Sequence, residues 1–120
     1  GPAPRFLDGG DLGESDFRLV VYGPATNPAV TVAGNVYALK LDIPAGGHAI
    51  VDSTDCTIVS VAPGGAVSNA FGAGIRGAGK GGGRYIFQPI PEGVSDVAAS
   101  GAFGFDLTVY ETESEPPWSA

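Results

Sequence analysis

The pattern in this chain that most invites chemistry is GAGIRGAGKGGG, residues 72–83. It holds G-x-G-x-x-G at Gly72, Gly74 and Gly77, and G-x-x-x-x-G-K at Gly74, Gly79 and Lys80. These are the spacings by which backbone N–H groups cradle a dinucleotide or a nucleoside triphosphate. A phosphate cradle needs a helix N-terminus directly after the loop, and the second motif also needs Ser or Thr after the lysine to hold magnesium. Position 81 is Gly, and three glycines run straight into RYIF, an expected strand. The segment therefore reads as a long, mobile loop between two strands. Arg76 and Lys80 make it basic on an acidic chain, which suits an acidic partner surface.

A second chemistry would pair the single cysteine, Cys56, with the single histidine, His48, because a thiol nucleophile needs a base within hydrogen-bond reach. IVDSTDCTIV, residues 50–59, reads as a hairpin turning at Ser53-Thr54. With a two-residue loop, Val51 pairs with Cys56 and His48 with Val59. Cys56 then shares a face with Ala49 and Ile58, while His48 shares the opposite face with Ile50 and Thr57. The two groups point apart, and Cys56 is expected as a small buried residue of a strand. Asp52 and Asp55 flank the turn, and Glu111, Glu113 and Glu115 share one strand face. Turn caps and solvated faces account for both sets, with a calcium site at Asp52 and Asp55 as the alternative. No catalytic residue, no cofactor and no metal site is expected.

The elements that would position these groups are strands. The chain has 120 residues, enough for one domain burying roughly two-thirds of its unfolded surface. Twenty glycines and ten prolines punctuate it, and no helix of ten residues fits. Expected strands are 17–22, 29–33, 35–43, 47–52, 56–61, 66–71, 84–88, 94–99 and 102–111. In 35–43, Tyr37, Leu39, Leu41 and Ile43 form an apolar face opposite Lys40 and Asp42. In 102–111, Phe103, Phe105, Leu107 and Val109 do so opposite Asp106 and Thr108. Strands with one wet face at this spacing predict an all-β fold, an antiparallel two-sheet β-sandwich of jelly-roll type. Residues 1–16 read as a tag scar at Gly1-Pro2 and a flexible linker, and 17–118 as the sandwich domain. The net charge of −7 argues against nucleic-acid or anionic-membrane partners, and no apolar run is long enough for membrane insertion.

The end of the chain carries a resemblance. YIFQPIPEGVSDV at 85–97 and SGAFGFDLTVYETESEPPW at 100–118 resemble the end of the distal tail protein of long-tailed bacteriophages. GPATNPAVTVAGNVYAL at 23–39 and IPAGGHAIVDSTDCTIV at 43–59 look like segments of the same family in the same order. The glycine loop is longer than the family's connection, and YETESE departs from its usual sequence there. The resemblance implies a galectin-like sandwich, the C-terminal domain of a structural protein of the virion tail tip or of a prophage. It further implies that the full-length protein forms a ring-shaped homo-oligomer and that this domain helps attach receptor-binding parts, its partners being other phage tail proteins.

The alternative expectation is a carbohydrate-binding module for host cell-wall glycan. Such a site would show as a solvent-facing aromatic beside Asp, Asn or His on one sheet. Candidate contacts for a partner or a glycan are Arg76, Lys80, Tyr85, Tyr110 and Trp118. Pro116-Pro117 would stop the last strand and present Trp118 to its own sandwich or to a neighbouring chain.

Overall fold

A computed structural model of the chain describes residues 13–92 and 96–110. Twelve strands run through them: β1 (Glu14–Ser15), β2 (Phe17–Tyr22), β3 (Ala25–Thr26), β4 (Ala29–Val32), β5 (Asn35–Ala38), β6 (Asp42–Ile43), β7 (His48–Asp52), β8 (Thr57–Val61), β9 (Val67–Asn69), β10 (Ile90–Pro91), β11 (Val97–Ala99) and β12 (Phe105–Val109). The one helical element among the described residues is a 3-10 turn at Phe71–Ala73. The fold is thus all-β, and every sheet is antiparallel. A five-stranded sheet runs β12-β2-β7-β8-β9, a three-stranded sheet runs β11-β4-β5, and β1-β10 and β3-β6 form two-stranded ribbons. Among the described residues no helix is long and apolar enough to cross a membrane.

Period-two patterning decides the dry side of the central strands, although in β2 Val20 is buried as well. In β2, Phe17, Leu19 and Val21 are buried; in β7, Ala49 and Val51; in β4, Val30 and Val32. The expected apolar face of 35–43 forms, with Tyr37, Leu39 and Ile43 buried and Lys40 and Asp42 exposed. These residues, with Ile58, Ile86, Phe87 and Ile90, make one core. Burying each large apolar side chain contributes roughly 1.5–3 kcal/mol. The ring of Phe17 in the five-stranded sheet meets that of Tyr37 in the three-stranded sheet edge to face, with centroids 5.0 Å apart. The expected strand 102–111 forms over Phe105–Val109 among the described residues: Phe105 and Leu107 pack against the core while Asp106 and Thr108 face solvent, and Phe103 packs there from the preceding loop. Val109, at its end, is exposed.

Two backbone features set the register. Val32 pairs with Asn35 across a two-residue turn in which Ala33 (φ 52°) and Gly34 (φ 83°) are both left-handed, the twist-matched hairpin turn. Gly74 bridges Leu39, and a Cβ there would stand 2.5 Å from Ile58 Cδ1 and 3.1 Å from Ile86 Cγ2, so a larger residue would force these core side chains to shift.

The structure corrects several expectations. The 50–59 hairpin has a four-residue loop: Asp52 pairs with Thr57, Val51 with Ile58 and His48 with Val61. Ser53 is responsible. It is buried, accepts the Phe17 N–H at 2.9 Å through Oγ, and donates to Asp16 Oδ1 at 2.9 Å. Its own N–H donates to Phe17 O at 3.0 Å. The loop widens to serve these bonds, and Cys56 is left exposed in the turn at φ 53°, outside any strand. His48 with Ile50 and Thr57, and Ala49 with Ile58, keep the faces expected for them. Segment 84–88 is a turn and not a strand: Ile86 and Phe87 are both buried, so alternation fails, and the Asn35 amide clamps both the N–H and the C=O of Tyr85. Segment 35–43 breaks after Ala38 because Lys40 N–H turns to Ala73 O at 2.8 Å. Among the described residues, Glu14 and Ser15 are already paired, ahead of Phe17.

Ser53→Ala leaves the Phe17 N–H buried without its acceptor. We expect a loss of about 1–3 kcal/mol in urea unfolding, with the m-value unchanged. Burial raises the Tyr37 phenol above the ordinary tyrosine range, the Glu14 charge adding to the effect and Asn35 partly opposing it. The folded state therefore keeps a proton that the unfolded chain releases near pH 10, so stability falls as pH rises above that value. In Tyr37→Phe the alkaline decline is expected to be shallower, measured by denaturant midpoints across that range; an equally steep decline excludes Tyr37 as its source.

Candidate functional site

The glycine segment is not the free loop its composition suggests. Ala70 N–H donates to Ile58 O at 2.8 Å, and Asn69 Oδ1 accepts Phe71 N–H at 2.8 Å where the 3-10 turn begins. Ile75 N–H donates to Ala38 O at 3.0 Å, and Ile86 N–H to Ile75 O at 3.1 Å. At the tip, Gly79 N–H donates to Arg76 O, Gly82 N–H to Gly79 O, and Gly81 N–H to Gln88 Oε1. The Ile75, Gly79, Gly81 and Gly82 amides, which a phosphate cradle would aim at a ligand, are thus turned onto the protein itself. Residues 84–91 continue as a turn and β10, with no helix after the loop.

This anchoring builds a basic and aromatic patch. The Arg76 guanidinium lies 4.7 Å over the Phe71 ring. Phe71 stacks on Phe87 with centroids 6.0 Å apart and 22° between planes, and Phe87 meets Tyr85 edge-on at 6.0 Å. An exposed cation–π contact of this kind contributes about 0.5–1 kcal/mol. Arg76 and Lys80 lie on the segment, Arg84 directly follows it, and Lys40 is tied to it by its backbone bond to Ala73. Of the expected contacts, then, Arg76, Lys80 and Tyr85 belong to one region.

Tyr110 does not join them. It follows β12 at the far edge of the five-stranded sheet, its hydroxyl 3.4 Å from Asp52 Oδ2, and desolvation together with the Asp52 charge raises its phenol. Trp118 lies outside the described residues, as do Glu111, Glu113, Glu115 and Pro116-Pro117.

Cys56 and His48 sit at opposite ends of the β7–β8 hairpin. Cys56 Sγ lies 3.6 Å from Ser53 O. The His48 ring lies 5.9 Å from that of Tyr22. Tyr22 donates its hydroxyl to Asp106 Oδ2 at 2.8 Å, a bond that raises its phenol pKa. Tyr22, His48 and Asp106 form a polar cluster on the outward face of β12-β2-β7 that sequence reading missed. Tyr22 and Asp106 are 84 residues apart, and only strand pairing joins them. Asp52 acts as a turn cap, its Oδ1 accepting Thr54 N–H at 3.0 Å. Among the described residues no three His, Cys, Asp or Glu side chains converge as a metal site would require.

A cleft of about 260 Å³ opens between the β4–β5 turn and the glycine segment, lined by Asn35, Tyr37, Gly81, Gly83, Gln88 and Pro89. Its polar side chains engage the protein's own backbone. Asn35 holds Tyr85, the Tyr37 hydroxyl donates to Gln88 O, and Gln88 Oε1 accepts from Gly81.

The exposed turn position predicts that Cys56 of the native chain reacts with a disulfide reagent to one equivalent without denaturant; protection until unfolding would restore a buried thiol. Comparisons with protein-family models, curated proteins and solved structures gave no match.

Proposed function

We propose that this chain is a non-catalytic attachment domain, a two-sheet jelly-roll sandwich with galectin-like topology, serving in a bacteriophage tail tip as the C-terminal part of a distal tail protein. The observation that carries the reading is where the resembling segments fall. Residues 23–39 supply β3, β4 and β5, residues 43–59 supply β7 with the end of β6 and the start of β8, and 85–97 and 100–118 supply β10 and β12. The resemblance is thus to the frame and its core, including Val30, Tyr37, Val51 and Ile86, and not to a reactive site. The separation of Cys56 from His48 and the self-satisfied glycine amides agree with a domain whose work is adhesion. In the virion or the prophage product its partners are other tail proteins, and the full-length protein assembles as a ring.

A second reading is favoured by one cluster. Tyr22 is 40% exposed with His48 and Asp106 beside it on one sheet face, the aromatic and polar combination a glycan platform uses.

Expression of the full-length parent and measurement of its mass by light scattering tests the first reading: a closed ring is expected, and a monomer overturns it. A glycan array with wild type and Tyr22→Ala tests the second. Silence is expected under the attachment reading, while signal lost in Tyr22→Ala would establish the glycan platform.

A further inference from the structure

Charge is distributed unevenly over this domain. Four of its six Lys and Arg residues, Lys40, Arg76, Lys80 and Arg84, lie on or against the glycine segment, past the β9 edge of the five-stranded sheet. Asp42, two residues from Lys40, is the carboxylate nearest to them in sequence. At the opposite flank Asp16, Asp52 and Asp106 lie along β12, β2 and β7 around a single cation, Arg18, and Asp55 sits in the β7–β8 turn, so the flank stays net acidic. The chain leaves the described residues from this acidic flank, where Tyr110 N–H is held by Asp16 O at 2.8 Å. It continues as ETESEPPW, with Glu111, Glu113 and Glu115 at every second position and the chain's single tryptophan, Trp118, after two prolines.

An acidic segment ending in an aromatic and a basic patch floored by aromatics are complementary. In an extended chain the glutamates would oppose Lys40, Arg76, Lys80 and Arg84, and the indole would find Phe71 and Tyr85. Within one molecule the route is poor. Four strand steps separate β12 from β9, roughly 19 Å, against a reach of about 26 Å for eight residues, and beyond Arg18 in β2 the path passes Asp52 and Asp55, which repel it. Between molecules this repulsion disappears, because the acidic flank of one copy faces the basic flank of the next.

We infer that residues 111–118 of one copy dock on the Lys40, Arg76, Lys80 and Arg84 patch of a second copy, head to tail. The contact uses different surfaces on its two sides, so it propagates into a ring or an open chain. Its charges are exposed, so the association is weak and salt-sensitive. The inference rests on charge placement and not on the tail-tip reading.

Sedimentation of the full chain at low ionic strength, together with Trp118 fluorescence, tests it. Average mass is expected to rise with protein concentration, with Trp118 emission shifting to shorter wavelength in step, and both reverting in 1 M salt, where screening acts over about 3 Å. One variant reverses the patch (Arg76→Glu with Lys80→Glu). Another neutralises the segment (Glu111→Gln, Glu113→Gln and Glu115→Gln). Each alone is expected to remain monomeric, and their mixture to form one-to-one dimers. A wild-type chain that stays monomeric at every concentration overturns the inference, as does association that survives in both variants. A blue-shifted Trp118 emission independent of concentration also overturns it, since that would place the segment on its own molecule.

Discussion

The structure depends on how Phe17 is held. Its ring is fully buried and meets Tyr37 edge to face, which ties the five-stranded sheet to the three-stranded one. Its backbone is bound in both directions by Ser53, whose hydroxyl accepts the Phe17 N–H and whose N–H donates to the Phe17 carbonyl. Ser53 belongs to the β7–β8 turn, so one residue couples the start of β2, the register of a hairpin and the contact between sheets. A buried hydroxyl with donor and acceptor both satisfied stabilises the fold; with either partner gone, the desolvation cost of the orphaned group remains.

The same coupling explains why the reactive groups stay apart. Because the turn is built around Ser53, it needs four residues. Cys56 falls in the turn, while His48 stays at the far end of the hairpin beside Tyr22. The glycine segment obeys a parallel logic. Glycines supply the left-handed positions Gly77, Gly79, Gly81 and Gly83, and the Gly79, Gly81 and Gly82 amides find acceptors within the protein. What remains exposed is side-chain chemistry, cationic and aromatic, rather than a backbone cradle.

The molecule joins a well-packed frame to a differentiated surface. The frame here is a continuous core drawn from strands throughout the chain. The surface is polarised between an acidic flank at β12-β2-β7 and a basic flank at the glycine segment, and each carries exposed aromatics, Tyr22 and Tyr110 on one and Phe71 on the other. Such polarity favours oriented encounter, because complementary potentials fix approach before short-range contacts form.

The amino-acid order determined the strand content, the absence of long helices among the described residues, and the wet and dry faces of β7, of β12 and of segment 35–43, because side-chain alternation is a local property written at period two. It also marked Arg76 and Lys80 as the basic feature of an acidic chain. Tertiary structure decided the rest. Where a strand ends depends on partners distant in sequence: Asn35 holds Tyr85 in a turn although RYIF has strand composition, and Ala73 draws Lys40 out of a strand that would otherwise continue. The length of the Ser53 turn was set by Phe17, 36 residues away. The Tyr22, His48 and Asp106 cluster and the Arg76, Phe71, Phe87 and Tyr85 stack exist only once strands and turns are packed, since each joins residues whose proximity no local pattern encodes.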